Sequence, residues 1–196
     1  MPIEFSTGGP GAILETMIEQ KWGDALLRLP RNTARTIEEA RASFEAGDTF
    51  RIFYPTLQDI IGGVLVDDRT AQGWRCLLFH RNQVLAQLET ERNGRPLTIH
   101  MGQAKDGIAQ AMVLADQLDG RYLVDAVEVS ALKLCALRLC PADAEPRRAE
   151  YLIPYEPDAS GLPAYTATPV AEAMTLLIPL AKRILEMSEA DPLSGG

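Results

Sequence analysis

The stretch GWRCLLFHRN at residues 73–82 places two side chains capable of nucleophilic chemistry, Cys76 and His80, four residues apart. Cysteine catalysis requires an imidazole within hydrogen-bond reach of the sulfur. On an extended strand these two residues share a face but lie about 13 Å apart, from a rise of about 3.3 Å per residue. They therefore cannot pair within one straight strand. His100, the only other histidine, is the remaining candidate partner for Cys76.

His100 is also a candidate general base in its own right, in a small hydrolase-like enzyme where a carboxylate orients its ring. The acids that could do so are Asp67, Glu89 and Glu91. In RPLTIHMG, strand alternation places His100 with Thr98 on the more polar face. If the covered face of the sheet carries Trp74 and Cys76, then Cys76 is an inert core thiol and His100 lies on the surface.

No metal or cofactor is predicted from the spacing of potential ligands. Zinc sites use closely spaced Cys or His pairs, and Cys135 and Cys140 are separated by four residues that include two leucines. An all-oxygen site around Asp67 and Asp68, completed by Glu89 or Glu91, is an alternative, but adjacent aspartates before a turn are usually loop residues. The glycine-rich STGGPGAIL lacks the lysine of a P-loop and the GxGxxG spacing of a dinucleotide site.

Composition excludes several classes of partner. The chain has 196 residues and a net charge of −8, which disfavours a nucleic-acid partner because binding to phosphates requires a positive field. No apolar run approaches the roughly 20 residues of a membrane span, and MPIEFSTGG has no export signature, so no membrane contact is expected. Three cysteines, an odd number, favour free thiols in a reducing cytoplasm.

Hydrophobic periodicity predicts helices at both ends and a sheet between them. Residues 1–47 read as a helical N-terminal part, with a capping box from Thr36 to Glu39 and Gly47 as a C-terminal cap. Three extended runs, GWRCLLFHRN, QVLAQLETE and RPLTIHMG, predict an antiparallel three-strand meander, with Asn93-Gly94 as a hairpin signal. A helix follows at Asp106, and residues 169–188 predict a C-terminal helix.

These elements predict one α+β domain over residues 1–190 with a mainly antiparallel sheet. The meander and later strands form the sheet over residues 50–155, with one inserted helix, and N-terminal, central and C-terminal helices pack on it. The segment 121–139 is long for a single strand, and we expect a bend near Ser130 or a bulge near Ala136. Residues 191–196 are expected to form a flexible tail.

Function is predicted mainly from the scatter of ionisable candidates along the chain. The leading hypothesis is a non-enzymatic cytoplasmic protein that binds a protein partner or self-associates, as in a homodimer. The C-terminal helix is apolar over more than half its circumference, and its candidate interface residues are Leu176 and Leu180. The alternatives are the His100 enzyme and a protein that binds a small ligand between the sheet and this helix.

The terminus PLSGG resembles the end of ubiquitin-like modifiers, over these few residues only. In those modifiers a flexible tail ending in Gly-Gly leaves a strand of a β-grasp domain, whereas Gly195 and Gly196 follow a predicted helix here. A tail of small residues without a role is the simpler interpretation.

Overall fold

The computed structural model describes residues 3–5, 27, 35–36, 38–39, 42, 44–67, 71–80, 83–93, 95–100, 103–142, 149–155 and 160–190. These residues form nine strands of one sheet and three α-helices. The strands are β1 (Ile3–Phe5), β2 (Glu45–Phe53), β3 (Ala71–His80), β4 (Gln83–Glu91), β5 (Pro96–His100), β6 (Tyr122–Val129), β7 (Leu134–Pro141), β8 (Tyr151–Pro154) and β9 (Thr168–Pro169). The helices are α1 (Leu57–Ile61), α2 (Gln103–Ala115) and α3 (Val170–Ala190).

The sheet is mostly antiparallel, with parallel pairing at its centre. Its strand order is β5-β4-β3-β2-β6-β7-β8-β9. The neighbours are antiparallel except β2 and β6, which run parallel, and β1 also pairs parallel with the first half of β6. The α+β class and the mostly antiparallel sheet are therefore confirmed, and β3, β4 and β5 pair in succession as neighbours.

Helices cover both faces of this sheet. On the α2 face, defined by Phe50 and Ile52, buried Ile108 and Ala111 of α2 pack against the strands. On the α3 face, defined by Val127 and Val129, α1 and α3 pack together over the strands. The central strands β3, β6 and β7 have buried residues on both of their faces, so a charged side chain buried in them needs a counter-charge inside the protein.

Local sequence signals explain where two of these elements begin or turn. Thr56 caps α1: its hydroxyl accepts the Asp59 backbone N–H at 3.2 Å, and the Asp59 carboxylate accepts the Thr56 N–H at 2.8 Å. Between β6 and β7 the chain reverses through the 3-10 turn Ser130–Leu132, with Lys133 in the left-handed region at φ 51°. The predicted bend near Ser130 is thus a full hairpin.

Several boundaries differ from the sequence-based predictions. The segment around Gly47 is part of β2 rather than a helix cap, and β1 is also extended, so the helical interpretation is wrong at both of these places. A Cβ on Gly47 would lie 2.7 Å from the Phe79 ring, so close packing explains this glycine. Helix α2 begins at Gln103, before Asp106, and α1 is a second helix within the sheet region.

The remaining predictions for the N-terminal part concern few described residues. The Glu39 backbone N–H donates to the Thr36 hydroxyl at 3.1 Å, as a capping box requires, but the Glu39 carboxylate accepts from the Arg35 backbone N–H. Leu27, Glu38, Glu39 and Ala42 are helical, as predicted. The other residues of the predicted N-terminal helices and the whole 191–196 tail, including Gly195 and Gly196, lie outside the described residues. None of the described helices is long and apolar enough to cross a membrane.

Candidate functional site

Six polar side chains form a continuous cluster on the α2 face of the sheet, which we call the Glu89 cluster. Strand alternation brings them to this face, and register aligns Arg75 of β3 directly beside Glu89 of β4. Glu89 in turn lies opposite Thr98 of β5, one alternation step from His100. The cluster consists of Tyr54, Arg75, Glu89, His100, Glu128 and Tyr155.

Arg75 is the centre of the cluster and is almost completely buried. Its Nη2 forms ion pairs with Glu89 and, at 2.7 Å, with Glu128. Its Nη1 donates to the Tyr155 hydroxyl at 2.8 Å, and that hydroxyl donates to Glu128 at 3.3 Å. A buried guanidinium is tolerated only when its charge and its N–H groups have such partners. Through them, Arg75 links β3, β4, β6 and the end of β8.

Glu89 joins this buried centre to the solvent. Its side chain is only 8% exposed, and its Oε1 contacts both Arg75 and the Nε2 of His100, the latter at 3.2 Å. Its Oε2 accepts a hydrogen bond of 3.3 Å from the Tyr54 hydroxyl. Because His100 is 45% exposed and Tyr54 39% exposed, these two residues form the solvent-accessible edge of the cluster.

The cluster changes the ionisation of its members. Burial raises the pKa of Glu89, but the hydrogen bond from His100 and the positive charge of Arg75 outweigh it and lower this pKa to about 2. The same hydrogen bond raises the pKa of His100 above its usual value, against the effect of burial. Burial and the charges of Glu89 and Glu128 raise the pKa of Tyr54, so its phenol stays protonated at neutral pH.

This arrangement can move a proton at His100. With Nε2 donating to Glu89, the neutral imidazole has its free lone pair on Nδ1, the nitrogen able to accept a proton. The imidazolium formed by that step would be stabilised by the ionised Glu89 carboxylate. A base oriented by a fixed carboxylate is the arrangement used for general base catalysis.

Buried donors without partners adjoin the cluster. Among the described residues, Arg75 Nε and Gln87 Nε2 are buried and have no hydrogen-bond partner. Gln87 lies directly across from His100 in the β4–β5 ladder. A buried donor without a partner costs about 1–3 kcal/mol. A third buried polar atom without a protein partner, Thr90 Oγ1, lies outside the cluster.

The structure brings together two of the predicted site residues, His100 and Glu89. Glu91 lies one alternation step away and instead contacts Asn93 and Arg95 in the β4–β5 turn. Asp67 follows Leu65 and Val66, which pack with the α3-face core. The charged neighbours of the His100 ring are Glu89, Arg75 and Glu128.

Cys76 lies on the opposite face of the sheet from His100. It is fully buried, and its thiol donates to the Gly47 carbonyl oxygen at 3.1 Å. The Cys76–His100 pair considered from the sequence is therefore not formed. His80, near the end of β3, is also buried and packs edge-on against Phe44, with ring centroids 5.7 Å apart.

The two candidate interface residues of the C-terminal helix differ in environment. Leu176 is 48% exposed, whereas Leu180 is partly buried against the α3-face core. The ligand pocket predicted between sheet and helix would fall where Ala173, Leu177 and Ala181 are completely buried. This apolar contact does not favour a ligand there.

A second ion-pair network, on the α3 face, is fully paired. The buried Asp125 accepts from Arg51 at 2.8 and 3.0 Å and from Arg138 at 3.1 Å, and Arg138 also pairs with Glu150 at 2.9 Å. Two positive and two negative charges compensate one another. Their effect is to link β2, β6 and β7, which is a structural role.

Four members of the Glu89 cluster were not identified from the sequence: Tyr54, Arg75, Glu128 and Tyr155. A signal was present for two of them, because Arg75 and Glu128 are charged residues within largely apolar strands. Burial on both faces turns such a residue into half of an internal ion pair.

Metal binding finds no support in the described part of the chain. No group of three or more His, Cys, Asp or Glu side chains there is arranged to hold a metal ion. Of the oxygen site considered at Asp67 and Asp68, Asp68 lies outside the described residues, and the Glu89 carboxylate is already bound by Arg75, His100 and Tyr54.

Comparison of the chain with protein-family models, with curated proteins and with solved structures found no match. A function therefore has to be inferred from the chemistry of the Glu89 cluster.

Proposed function

We propose that the chain is a hydrolase-like enzyme in which His100 acts as general base and Glu89 orients it. The observation that carries this proposal is the 3.2 Å contact between the half-exposed imidazole and a buried carboxylate. An exposed histidine gains little from such a partner unless its orientation and proton affinity matter. Here the partner is held in turn by the buried Arg75.

In the proposed reaction, Nδ1 of neutral His100 removes a proton from a water molecule. Glu89 accepts the Nε2–H throughout and stabilises the imidazolium, and Arg75 keeps Glu89 ionised. A raised pKa brings His100 closer to neutral pH, where a base combines a sizeable unprotonated fraction with strong basicity. Arg75, Glu128 and Tyr155 act as positioning residues, since they reach His100 only through Glu89.

Hydrolysis of model substrates tests this proposal. The full chain would be assayed against p-nitrophenyl acyl esters, p-nitrophenyl phosphate and p-nitrophenyl glycosides. His100→Ala should lower kcat by about 10²–10⁴-fold on the substrate that is turned over, the usual contribution of a general base. Arg95→Ala, an exposed change in the β4–β5 turn, is the control and should leave kcat unchanged. Turnover that survives in His100→Ala would contradict the proposal, as would no turnover by the unmodified chain.

A second candidate function is self-association through α3. Leu176 and Met187 are exposed, at 48% and 66%, and Leu180 and Ile184 between them are only partly buried. These four residues follow helical spacing along one stripe, which fits a contact between two copies of the helix. The sequence alone favoured such an assembly protein because the ionisable residues are scattered along it. We rank it second because folding gathers six polar residues into one site.

We also place the protein in a reducing compartment, the cytoplasm. Cys76, Cys135 and Cys140 form no disulfide with one another, which agrees with this location.

A further inference from the structure

We infer that Tyr54 is a second catalytic residue of the Glu89 cluster, which donates a hydrogen bond to the oxyanion formed from an uncharged carboxylic ester. This inference rests on the proposed function of His100 and names its substrate class. Tyr54 lies directly after β2, at the carboxyl end of the parallel β2–β6 pair.

The positions of Tyr54 and His100 support a shared substrate. They bind the two different oxygens of one carboxylate, Tyr54 on Oε2 and His100 on Oε1 of Glu89. They are also the two members of the cluster with the greatest exposure. A molecule bound at this edge would therefore contact the imidazole and the phenol together.

The chemistry of the Tyr54 hydroxyl fits an oxyanion donor. Burial and the neighbouring carboxylates Glu89 and Glu128 keep the phenol protonated, so a proton is always available for donation. At 3.3 Å its hydrogen bond to Glu89 is long for two oxygen atoms, whose usual separation is about 2.7–2.8 Å. Such a weak bond can be exchanged for a stronger one to an oxygen that is gaining negative charge.

The charge of the cluster favours an uncharged substrate. Both Nη atoms of Arg75 are already bound to Tyr155, Glu89 and Glu128. When His100 is neutral and able to act as base, the two glutamates leave one negative charge in excess of Arg75. A phosphate ester would be repelled by this charge, whereas a carboxylic ester would not.

The proposed hydrolysis balances without another reactant. The water oxygen adds to the carbonyl carbon while a water proton passes to Nδ1 of His100. The carbonyl π electrons move to the oxygen, which accepts the hydrogen bond from Tyr54. On collapse these electrons re-form the C=O bond, the bond to the alcohol oxygen breaks, and the departing alcohol takes the proton from His100. The products are a carboxylic acid and an alcohol, and Tyr54 keeps its own proton.

Steady-state kinetics of Tyr54→Phe on the best p-nitrophenyl acyl ester tests the inference. The variant should lose about 10²–10³-fold in kcat with little change in KM, because the lost bond strengthens only in the transition state. Tyr151→Phe is the matched control, since Tyr151 stacks edge-on with Tyr122 away from the cluster, and it should retain full activity.

A second variant separates the donor from the aromatic ring. Tyr54→Gln removes the ring but keeps a hydrogen-bond donor, so it should retain more of kcat than Tyr54→Phe. The reverse order would overturn the inference, because it would assign the effect to the ring. Thermal unfolding of each variant checks that it is folded.

The outcomes distinguish this inference from the proposed function. If Tyr54→Phe turns over like the unmodified chain while His100→Ala is inactive, the role of Tyr54 is wrong and the role of His100 stands. If p-nitrophenyl phosphate or a p-nitrophenyl glycoside is hydrolysed and no acyl ester is, the substrate class is wrong. If the unmodified chain turns over none of these three kinds of substrate, the proposed function fails and the inference fails with it.

Discussion

Among single residues, His100 offers the most direct measurement, because its position beside Glu89 changes its pKa. The chain has two histidines, so their NMR titration curves can be assigned by one substitution. The hydrogen bond to Glu89 should raise the pKa of His100, and Glu89→Gln should return it toward its usual value because the amide has no charge to stabilise the imidazolium. An unchanged pKa in Glu89→Gln would contradict the contact.

The same pair predicts how stability depends on pH. A raised histidine pKa contributes stability that is lost as pH rises through the folded-state value. A lowered glutamate pKa contributes stability that is present above its usual value of 4.5 and is lost as pH falls toward about 2. The difference in unfolding free energy between the unmodified chain and Glu89→Gln should therefore be largest between pH 4.5 and 6.5. Urea unfolding at several pH values measures it, and a difference that grows above pH 8 would oppose this reasoning.

Replacing Arg75 tests how much stability is lost when a buried positive charge is removed and its carboxylate partners remain. Arg75→Met should destabilise the protein by about 3–5 kcal/mol, because Glu89 and Glu128 would lose their shared cation inside the sheet. Arg95→Ala removes an exposed arginine from a pair at 3.8 Å with Glu91 and should change stability by about 1 kcal/mol or less. Urea unfolding measures the change in unfolding free energy for both variants. Equal changes would mean that Arg75 does not stabilise the cluster.

At the scale of elements, helix α2 packs closely against the chain at the end of β8, next to Tyr155 of the Glu89 cluster. A Cβ at Gly107 would overlap the carbonyl oxygen of Tyr155, whose side chain binds Arg75. Glycine to alanine inside a helix usually stabilises by about 0.5–1 kcal/mol. Here Gly107→Ala should destabilise by about 1–3 kcal/mol, because helix and strand would have to separate.

Gln110→Ala, an exposed position on the same helix, is the control for helix propensity. It should be neutral or slightly stabilising in the same thermal unfolding experiment. A stabilising Gly107→Ala would show that α2 does not lie as close to Tyr155 as described.

At the scale of the whole molecule, the described helices pack on both faces of the sheet, and α3 also presents an apolar stripe outward. If this stripe joins two copies, Leu176→Glu should give a folded monomer, because Leu176 is exposed. Leu180→Glu should lower stability as well, since Leu180 packs partly against the α3-face core. Light scattering with size-exclusion chromatography measures the mass of each species. If the unmodified chain is already monomeric, the proposed self-association through α3 is wrong.

The sequence by itself determined the class of fold and most of the elements. Alternation in GWRCLLFHRN, QVLAQLETE and RPLTIHMG predicts the strands β3, β4 and β5, and helical spacing from Val170 predicts α3. These signals are local, because each depends on the period of a single element. Where two periods meet, as at Ser130 or Gly47, the sequence left the boundary open or placed it wrongly.

Only the tertiary structure decided which polar residues meet. Strand alternation indicates that Arg75 and Cys76 lie on opposite faces of the sheet. It does not indicate whether both faces are covered or which strands are neighbours. The parallel pairing of β2 with β6 brings Tyr54 and Glu128 beside residues of β3 and β4, far away in sequence. The sequence offered three acids for His100, and strand register selected Glu89, because register is set by packing across the whole sheet.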